Sequence, residues 1–378
     1  MKEGWQYLQF EDALQKVKYT KKVQSSDYLH EGRVPIVSQE EEIISGYWNN
    51  SEDAFKVETP IVVFGDHSRV VKYINYDFVL GADGVKILKP IKELDARFLY
   101  FFLKWYDVPS LGYSRHYKLL KEIVLPIPPL SEQQHIVEEL DLLSSIIEKK
   151  KEQLKELDNL PQSIFYDMFG DPVVNEKGWP TKTLGELSEK IANGYNAKLE
   201  EDTYKSEGIM YFRCQNVWRN RFDYSDLVYI DEETNKKMKS SSLKHNDFLV
   251  TKIGRVNTEN SSLGRISLYE GDDDKANLSG NLCFIRLKKD VLVHKYLLYI
   301  FVSDQFRDYI RRTTVGGIDK RALNTKQLST FPVHIPPLSL QQQFAEKIEA
   351  IEKQKEQIKQ SIAEVETLFN SRMDYYFT

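Results

Sequence analysis

Short stretches rich in basic and amide side chains occur in the second half of the chain. Arg, Lys, Asn and Gln bind base edges through hydrogen bonds, and the cations pair with phosphates, so these stretches have the chemistry of nucleic-acid contacts. The stretches are "RCQNVWRNR" (213–221), "VTKIGR" (250–255), "NLSGN" (277–281) and "RRTTVGGIDKR" (311–321). The candidate contacts in them are Arg213, Gln215, Asn216, Arg219, Lys252, Arg255, Asn277, Ser279, Asn281, Arg311, Arg312, Lys320 and Arg321.

Three stretches of the first half have a similar character, namely "IVSQ" (36–39), "FGDHSR" (64–69) and "GYSRHYK" (112–118). Their candidate contacts are Ser38, Gln39, Arg69, Tyr113, Arg115, His116 and Lys118. The formal net charge is −5, which gives no global signal for nucleic acid, so any DNA-binding surface would have to be a local patch. For each residue taken singly, the competing interpretation is a solvated surface side chain.

No catalytic motif accompanies these residues. An adenine methyltransferase needs an Asn/Asp-Pro-Pro-aromatic box, whereas both Pro-Pro pairs here follow Ile, at Ile127 and Ile335. A Walker phosphate loop, a G-x-S-x-G nucleophile turn and a His-x-x-x-His metal pair do not occur in the sequence. The acidic runs at 231–233 and 271–275 have the composition of solvated loops. We therefore expect no catalytic residues, no metal site and no cofactor on this chain.

Cysteine content and the lengths of the apolar segments indicate the cellular setting. Its two cysteines, Cys214 and Cys283, lie far apart and favour neither a disulfide framework nor a zinc site. The N-terminal stretch does not have the pattern of a signal peptide, and the longest apolar run, "FLYFFL" (98–103), is too short to span a bilayer. These features predict a cytoplasmic protein without a membrane partner.

The elements that position the polar stretches are indicated by an internal repeat. "IPPLSEQQ" begins at Ile127, and "IPPLSLQQ" begins at Ile335. Weaker echoes precede each copy: 4–14 resembles 178–187, 59–73 resembles 246–256, and 95–103 resembles 293–301. A repeat of this length predicts a duplicated domain, in the order globular region, helix, globular region, helix.

Each Pro-Pro pair is followed by the Ser-x-x-Gln pattern of a capping box, which predicts a helix start at Ser131 with Gln134 and at Ser339 with Gln342. Apolar residues then recur at alternating spacings of four and three, the pattern of a coiled-coil seam. The seam positions are Ile136, Leu140, Leu143, Ile147, Leu154 and Leu157 in the first helix, and Phe344, Ile348, Ile351, Ile358, Ile362 and Val365 in the second. We expect Pro161 to interrupt the first helix, as a kink or as the start of a new short helix, and Gly170 to end it.

The two Pro-Pro-Leu-Ser copies, their heptad helices and the junction "FYDMFGDPVVNEKGWPTKTLGEL" (165–187) resemble the specificity subunits of type I restriction–modification systems. The resemblance extends over essentially the whole chain. It implies an α+β fold with two α/β target recognition domains, 1–129 and 171–337. These are joined by two helical regions, 130–170 and 338–378, which form an antiparallel coiled coil.

The resemblance also implies a function and partners. Such subunits bind a bipartite double-stranded DNA target and catalyse nothing themselves. They position two modification (methyltransferase) subunits, and restriction subunits complete the full complex. S-adenosylmethionine, ATP and Mg²⁺ are then expected on those partners. The alternatives from other classes are a stand-alone methyltransferase or nuclease, which the missing motifs disfavour, and a coiled-coil adaptor without a DNA role.

Overall fold

The structure is a computed structural model that describes residues 4–82, 84–196, 199, 203–256, 258, 260–317 and 319–378. The chain divides into two compact units. Unit 1 consists of Met1–Gln153 with Ile358–Thr378, and unit 2 consists of Leu154–Gln357. Each unit therefore combines one globular region with part of each long helix, whereas the predicted domain limits separate helices from globular regions.

Unit 1 contains two four-stranded sheets and one two-stranded sheet. Its strands are β1 (Gln6–Gln9), β2 (Leu14–Gln15), β3 (Lys22–Val23), β4 (Val34–Val37), β5 (Gly46–Trp48), β6 (Ile61–Gly65), β7 (Val71–Ile74), β8 (Val79–Gly81), β9 (Val85–Pro90) and β10 (Val124–Ile127). Its helices are α1 (Ala96–Tyr106), α2 (Tyr117–Leu120), the first part of α3 (Leu130–Phe169) and the last part of the C-terminal helix α9 (Leu338–Phe377). The strand orders are β2-β9-β6-β7, β3-β8-β4-β5 and β1-β10.

Unit 2 begins within α3. Its strands are β11 (Thr181–Thr183), β12 (Ser188–Asn193), β13 (Ile209–Phe212), β14 (Val228–Ile230), β15 (Phe248–Thr251), β16 (Ile253–Arg255), β17 (Ile266–Leu268), β18 (Ala276–Leu278), β19 (Leu282–Leu287), β20 (Val315–Gly316), β21 (Lys320–Ala322) and β22 (Pro332–His334). Its helices are α4 (Leu184–Leu187), α5 (Glu232–Lys237), α6 (His294–Val302), α7 (Asp304–Thr313), α8 (Thr325–Ser329) and the first part of α9 (Leu338–Phe377).

The sheet topology confirms that the two globular regions are repeats. The antiparallel order β2-β9-β6-β7 of unit 1 recurs as β12-β19-β15-β17 in unit 2. The parallel pair β4·β8, with β5 antiparallel to β4, recurs as β13·β18 with β14. The sequence echoes fall on equivalent elements, which are β1 and β11, β6 and β15, and α1 and α6. Apolar runs form the central strands β6 and β15, because these strands are covered on both faces.

The two long helices pair in opposite directions, as predicted. In unit 1, Glu139 binds Arg372 (Oε1 to Nε, 2.5 Å) and Lys151 binds Glu366 (2.7 Å), so α9 descends as α3 ascends. In unit 2, Asp158 pairs with Lys355, and the rings of Phe165 and Phe344 have centroids 5.6 Å apart. Most predicted seam positions are buried, and Ile147, Leu154 and Val365 are half-buried. The antiparallel coiled coil is therefore confirmed.

The predicted capping boxes are wrong. The helices begin at Leu130 and Leu338, so Ser131 and Ser339 already lie inside the first turn. The backbone amides of Gln133 and Gln341 donate instead to the carbonyls of Pro129 and Pro337. Gln134 and Gln342, the predicted partners of the two serines, are exposed. The physical reason is that the second proline of each pair has an extended backbone before it and a free carbonyl after it, and so can itself precede the first helical residue.

The side-chain amides of Gln133 and Gln341 are buried, and they form equivalent hydrogen bonds in the two units. Gln133 Nε2 donates to the carbonyls of Pro128 (2.7 Å) and Glu93 (2.8 Å), and its Oε1 accepts from the Asp95 amide (2.7 Å). Gln341 Nε2 donates to Pro336 O (2.8 Å), and its Oε1 accepts from the Val293 amide (2.9 Å). Asp95 and Val293 precede α1 and α6, so each glutamine ties the start of a long helix to the start of the helix that covers the sheet.

Pro161 does not begin a new helix, so that alternative is wrong, and the other alternative, a kink within α3, stays a prediction. The helix continues through Pro161 to Phe169. Pro161 is itself buried, and Leu157 and Phe165 are buried on either side of it, so tertiary packing outweighs the loss of one backbone hydrogen bond. The helix ends at Gly170, whose φ of 78° suits glycine, as predicted.

Candidate DNA interface

Four loops meet at one end of the sheets of unit 1. They are the end of β4 with Gln39, the β6–β7 turn, the β8–β9 turn and the loop between α1 and α2, and we call them the unit 1 loop face. Gln39 Oε1 accepts from the His67 amide (3.2 Å), and its carbonyl accepts from Ser68 Oγ (2.5 Å). The Asp66 amide donates to Gly84 O (2.7 Å), and the Asp66 carbonyl accepts from the His116 amide (2.8 Å). Residues that are far apart in the sequence therefore form one surface.

The exposed side chains of the unit 1 loop face are aromatic and basic. Tyr113 is fully exposed and stacks on His67, with ring centroids 5.6 Å apart and an interplanar angle of 19°. Arg115 and Lys118 are exposed nearby. Arg69, at φ 65°, donates from Nη1 to Val108 O (2.8 Å), which ties the β6–β7 turn to the loop after α1. These side chains have the types and the exposure that contact with bases and phosphates requires.

Two predicted contacts of unit 1 are wrong, because their polar groups are buried and already used. His116 is 1% exposed, its Nε2 accepts from the Leu111 amide (2.9 Å), and its Nδ1 lies 3.0 Å from Asp66 O. Ser38 is buried, and its Oγ binds Ser45 Oγ (2.7 Å) and the Glu40 amide (3.1 Å). Both residues shape the loops from inside, and neither reaches solvent.

The equivalent four loops meet in unit 2, and we call them the unit 2 loop face. Their described parts follow β13 (213–216), lie between β15 and β17 (252–256 with β16, and 260–264), join β18 to β19 (279–281), and follow α7 at β20 and β21. The Asn281 carbonyl accepts from the Lys252 amide (3.1 Å) and lies 3.6 Å from Cys214 Sγ. Pairing of β16 with β21 brings the last loop against the second.

An open groove of about 550 Å³ on this loop face brings four of the predicted contacts together, since Arg213, Gln215, Ser279 and Asn281 all line it. Tyr195, Tyr204 and Tyr211 form its aromatic part. Asp226 orients two of the polar side chains, accepting from Arg213 Nη2 (2.7 Å) and from Gln215 Nε2 (2.9 Å). Hydrogen bonds to these groups lower the pKa of Asp226, so its carboxylate stays charged.

A second groove adjoins the first, because Cys214 and Asn281 line both. It contains Arg255 and Lys320, which are exposed on the paired strands β16 and β21. Arg255 Nε lies 3.5 Å from Asp319 Oδ2. Lys252, also predicted as a contact, is half-buried and donates to Asn193 Oδ1 (2.9 Å). The two grooves together form a polar surface with several donors that face solvent.

Asn216 and Asn277 are wrong predictions for the same reason as His116. Asn216 is 1% exposed, donates from Nδ2 to Asp223 O (3.1 Å) and accepts from the Arg213 amide (2.9 Å). Asn277 is fully buried and bonds Ser241 Oγ (2.7 Å), Asn235 Oδ1 (2.9 Å) and two backbone groups. An asparagine side chain in a loop can form hydrogen bonds with the backbone as readily as with a DNA base.

The remaining predicted residues lie around α7 and β21. Arg311 binds Asp308 on α7 (3.1 Å), Arg312 is exposed, and Arg321 donates to the Arg311 carbonyl. Arg219 is half-buried beside two arginines that the sequence analysis missed, Arg265 and Arg307. Arg307 could have been found from the sequence, because it lies one helical turn before the predicted contact Arg311. Arg265 became recognisable only through its contact with Trp218.

Within the described residues, no group of His, Cys, Asp and Glu has the arrangement of a metal site, and no helix is long and apolar enough to cross a membrane. The thiol of Cys283 is buried, and burial raises its pKa to about 12, so it is not a reactive thiolate. Cys214 is half-buried, and burial likewise raises its pKa. Neither cysteine has the low thiol pKa of a nucleophile.

Comparison with known proteins identifies the family. The family model described as the type I restriction modification DNA specificity domain matches residues 2–158 and 176–367. The MjaVIII specificity subunit of Methanocaldococcus jannaschii is 21% identical over 389 residues, which cover 95% of this chain and 90% of that protein. The EcoR124I/EcoR124II specificity subunit of Escherichia coli is 20% identical over 371 residues, covering 94% and 88%.

Two solved structures share the fold. The S subunit of a type I restriction–modification system from M. genitalium has a TM-score of 0.58 and 15% identity, over 98% of this chain and 95% of that one. A structure from work on complex assembly and conformational transition of the type I R-M system has a TM-score of 0.59 and 16% identity, over 100% and 98%. Because the family model spans most of its length, the chain belongs to the type I restriction–modification DNA specificity family, as a DNA-recognition subunit without catalytic activity of its own.

Proposed function

We propose that each unit reads one part of a bipartite double-stranded DNA target through its loop face. The observation that carries this proposal is the convergence of equivalent loops in both units on sheets of the same strand order. A duplicated reader suits a target in two parts. The sequences of the two loop faces differ, so the two parts of the target need not be the same.

The partners follow from the same proposal. The long helices hold two modification subunits, which carry S-adenosylmethionine and methylate an adenine in each part of the target. Restriction subunits join to form the full complex and carry ATP and Mg²⁺. The complex acts in the cytoplasm. The exposed, charged outer faces of α3 and α9 support a docking role, because they are not used in the pairing of the helices.

The test is to express the chain with its methyltransferase subunits in a host that lacks adenine methylation, and to map methylated adenines. We expect one bipartite motif. Arg115→Ala on the unit 1 loop face should then relax or abolish recognition in one part only, and Asn281→Ala on the unit 2 loop face should affect the other part only.

Two control variants, one in each unit, change residues at the end of the strands that lies opposite the loop face. Lys92 follows β9 and Lys289 follows β19, so each exposed lysine lies at the end of its strand opposite the loop face. Lys92→Ala and Lys289→Ala should leave the motif unchanged. A motif in one part, or variants on both loop faces that alter the same part, would contradict the proposal. Absence of any methylation would favour an adaptor without a DNA role.

A further inference from the structure

Three arginines lie on neighbouring segments of unit 2 beside the second groove, close enough for their charges to influence one another's pKa. Arg219 lies in the loop after β13, Arg265 immediately precedes β17, and Arg307 lies on α7, and we call them the arginine cluster. The Asn220 amide donates to Ile266 O (2.9 Å), which ties the loop to β17. A Cβ at Gly264 would lie 2.9 Å from Ile310 Cδ1, so α7 packs closely against the residues just before β17. The cluster is therefore built into the fold and is not a chance approach of long side chains.

Trp218 holds one member of the cluster in place. The Arg265 guanidinium lies 3.8 Å from the centroid of the Trp218 ring, and the indole Nε1 donates to Gln215 O (3.1 Å). Arg265 also donates from Nε to Ser261 O (3.1 Å) and from Nη2 to Asn260 O (2.5 Å). A stacked guanidinium with several fixed hydrogen bonds is a preorganised positive charge.

Carboxylates compensate this charge only in part. Arg307 binds Asp304 (3.1 Å), and Arg311, on the next turn, binds Asp308 (3.1 Å). Both aspartates are largely exposed, so these pairs are weak. Among the described residues, Arg219 has no carboxylate within ion-pair distance, and the charge of Asp304 offsets part of the repulsion that it experiences. Burial, followed by the charge of Arg307, lowers the pKa of Arg219 to about 10, and burial lowers the pKa values of Arg265 and Arg307. Like charges in a partly desolvated site destabilise the free protein.

We propose that the arginine cluster binds a phosphate of the DNA backbone next to the unit 2 loop face. The inference rests on the proposed function and adds to it a subsite for the backbone. Arg265 lines the groove that also contains Arg255 and Lys320, so the cluster continues the surface assigned to DNA. The guanidinium fork matches phosphate oxygens in charge and geometry, and an anion would remove the repulsion within the cluster. Arg265 is 8% exposed and two of its donor groups are bound to carbonyls, so it supplies fixed positive charge beneath the surface, whereas the half-buried Arg219 and Arg307 contact the phosphate.

The test uses the full chain and a fluorescent duplex of random sequence, so that it does not require knowledge of the target. Arg219→Gln should weaken binding roughly 10-fold, and should lower the slope of log K against log salt by about 0.9 for one lost phosphate contact. The thermal unfolding midpoint should stay the same or rise, because repulsion is relieved. A merely structural arginine would instead lower it. In the methylation assay, the motif should be unchanged, since phosphates carry no sequence information.

Arg307→Gln is the second variant, and Lys289→Gln is the matched control that removes one exposed charge from the opposite end of β19. The control should leave affinity and salt slope as in the wild type. If wild-type protein binds duplex and both arginine variants keep its affinity and slope, the cluster does not contact DNA. If they bind duplex normally but lose the methyltransferase subunits, the cluster serves an acidic protein surface and our inference is wrong. If the wild type binds no DNA, even with its partners, the proposed function itself fails.

Discussion

Arg115 and His116 are neighbours in the sequence and have opposite surroundings in unit 1. The Arg115 side chain is exposed, whereas His116 is buried and uses both ring nitrogens. His116→Ala would leave the Leu111 amide without its acceptor, remove a partner of the buried Asp66 carbonyl and open a small cavity. We expect a loss of about 2–3 kcal/mol in the free energy of unfolding, measured by chemical denaturation.

Arg115→Ala serves as the comparison for that variant. It should leave the free energy of unfolding within about 0.5 kcal/mol of the wild type, because exposed substitutions cost little, and it should weaken DNA binding. Equal stability of the His116 and Arg115 variants would contradict the assignment of His116 to the interior.

The same contrast explains why the residues of the site could be predicted only in part. The polar stretches do meet on the two loop faces, and Gln215, Asn281 and Arg255 lie in grooves there. Asn216 has the same side chain as Asn281, yet its amide is buried against Asp223. Composition and spacing say which side chains can make hydrogen bonds. They do not say whether the partner is backbone or solvent, because that depends on long-range packing.

At the scale of elements, the paired glutamines at the helix starts allow a comparison of adjacent residues. Gln133 joins three backbone groups around the start of α3, and Gln134 beside it is exposed. Gln133→Ala should cost on the order of 2–4 kcal/mol in the free energy of unfolding, because buried backbone groups lose their partners. Gln134→Ala should cost close to nothing.

Unit 2 offers an internal replicate of that experiment, with Gln341→Ala as the destabilising variant and Gln342→Ala as its control. Denaturation followed by circular dichroism measures all four variants. If Gln134→Ala and Gln342→Ala were instead the destabilising variants, the result would support the capping boxes and contradict the role assigned to the buried amides.

The elements themselves were the most predictable part of the fold. The heptad spacing identified the seam, because a helix repeats its apolar face in a way that the sequence displays directly. The repeat also placed equivalent strands and helices in both halves. The partners of Gln133 could not be foreseen, since the Glu93 carbonyl is distant in the sequence. The order of strands in each sheet depends on such contacts too, and the continuation of α3 through Pro161 depends on the packing of its neighbours.

At the scale of the whole molecule, unit 1 is assembled from both ends of the chain. Its main core contains Met373, Tyr376 and Phe377 from the end of α9, packed with α1 and β10. The Phe377 ring lies 5.3 Å from Phe98 and 5.7 Å from Phe102, centroid to centroid. The unit therefore cannot complete its core until nearly the whole chain is available, and its contacts have a high sequence separation.

This arrangement predicts where a substitution near the C-terminus acts. Phe377→Ala should cost about 3–5 kcal/mol, and hydrogen exchange should show the loss of protection in β1, β10 and α1 as well as at the end of α9. Phe344→Ala is the matched change in unit 2, where the ring packs on Phe165 (5.6 Å) and Tyr299 (5.2 Å). Phe344→Ala should lower protection from hydrogen exchange around α6 and the end of α3, and the protection of β1 should not change. If Phe377→Ala instead exposed only the last turn of α9, the end of the chain would be an appendage, and the core of unit 1 would be complete without it.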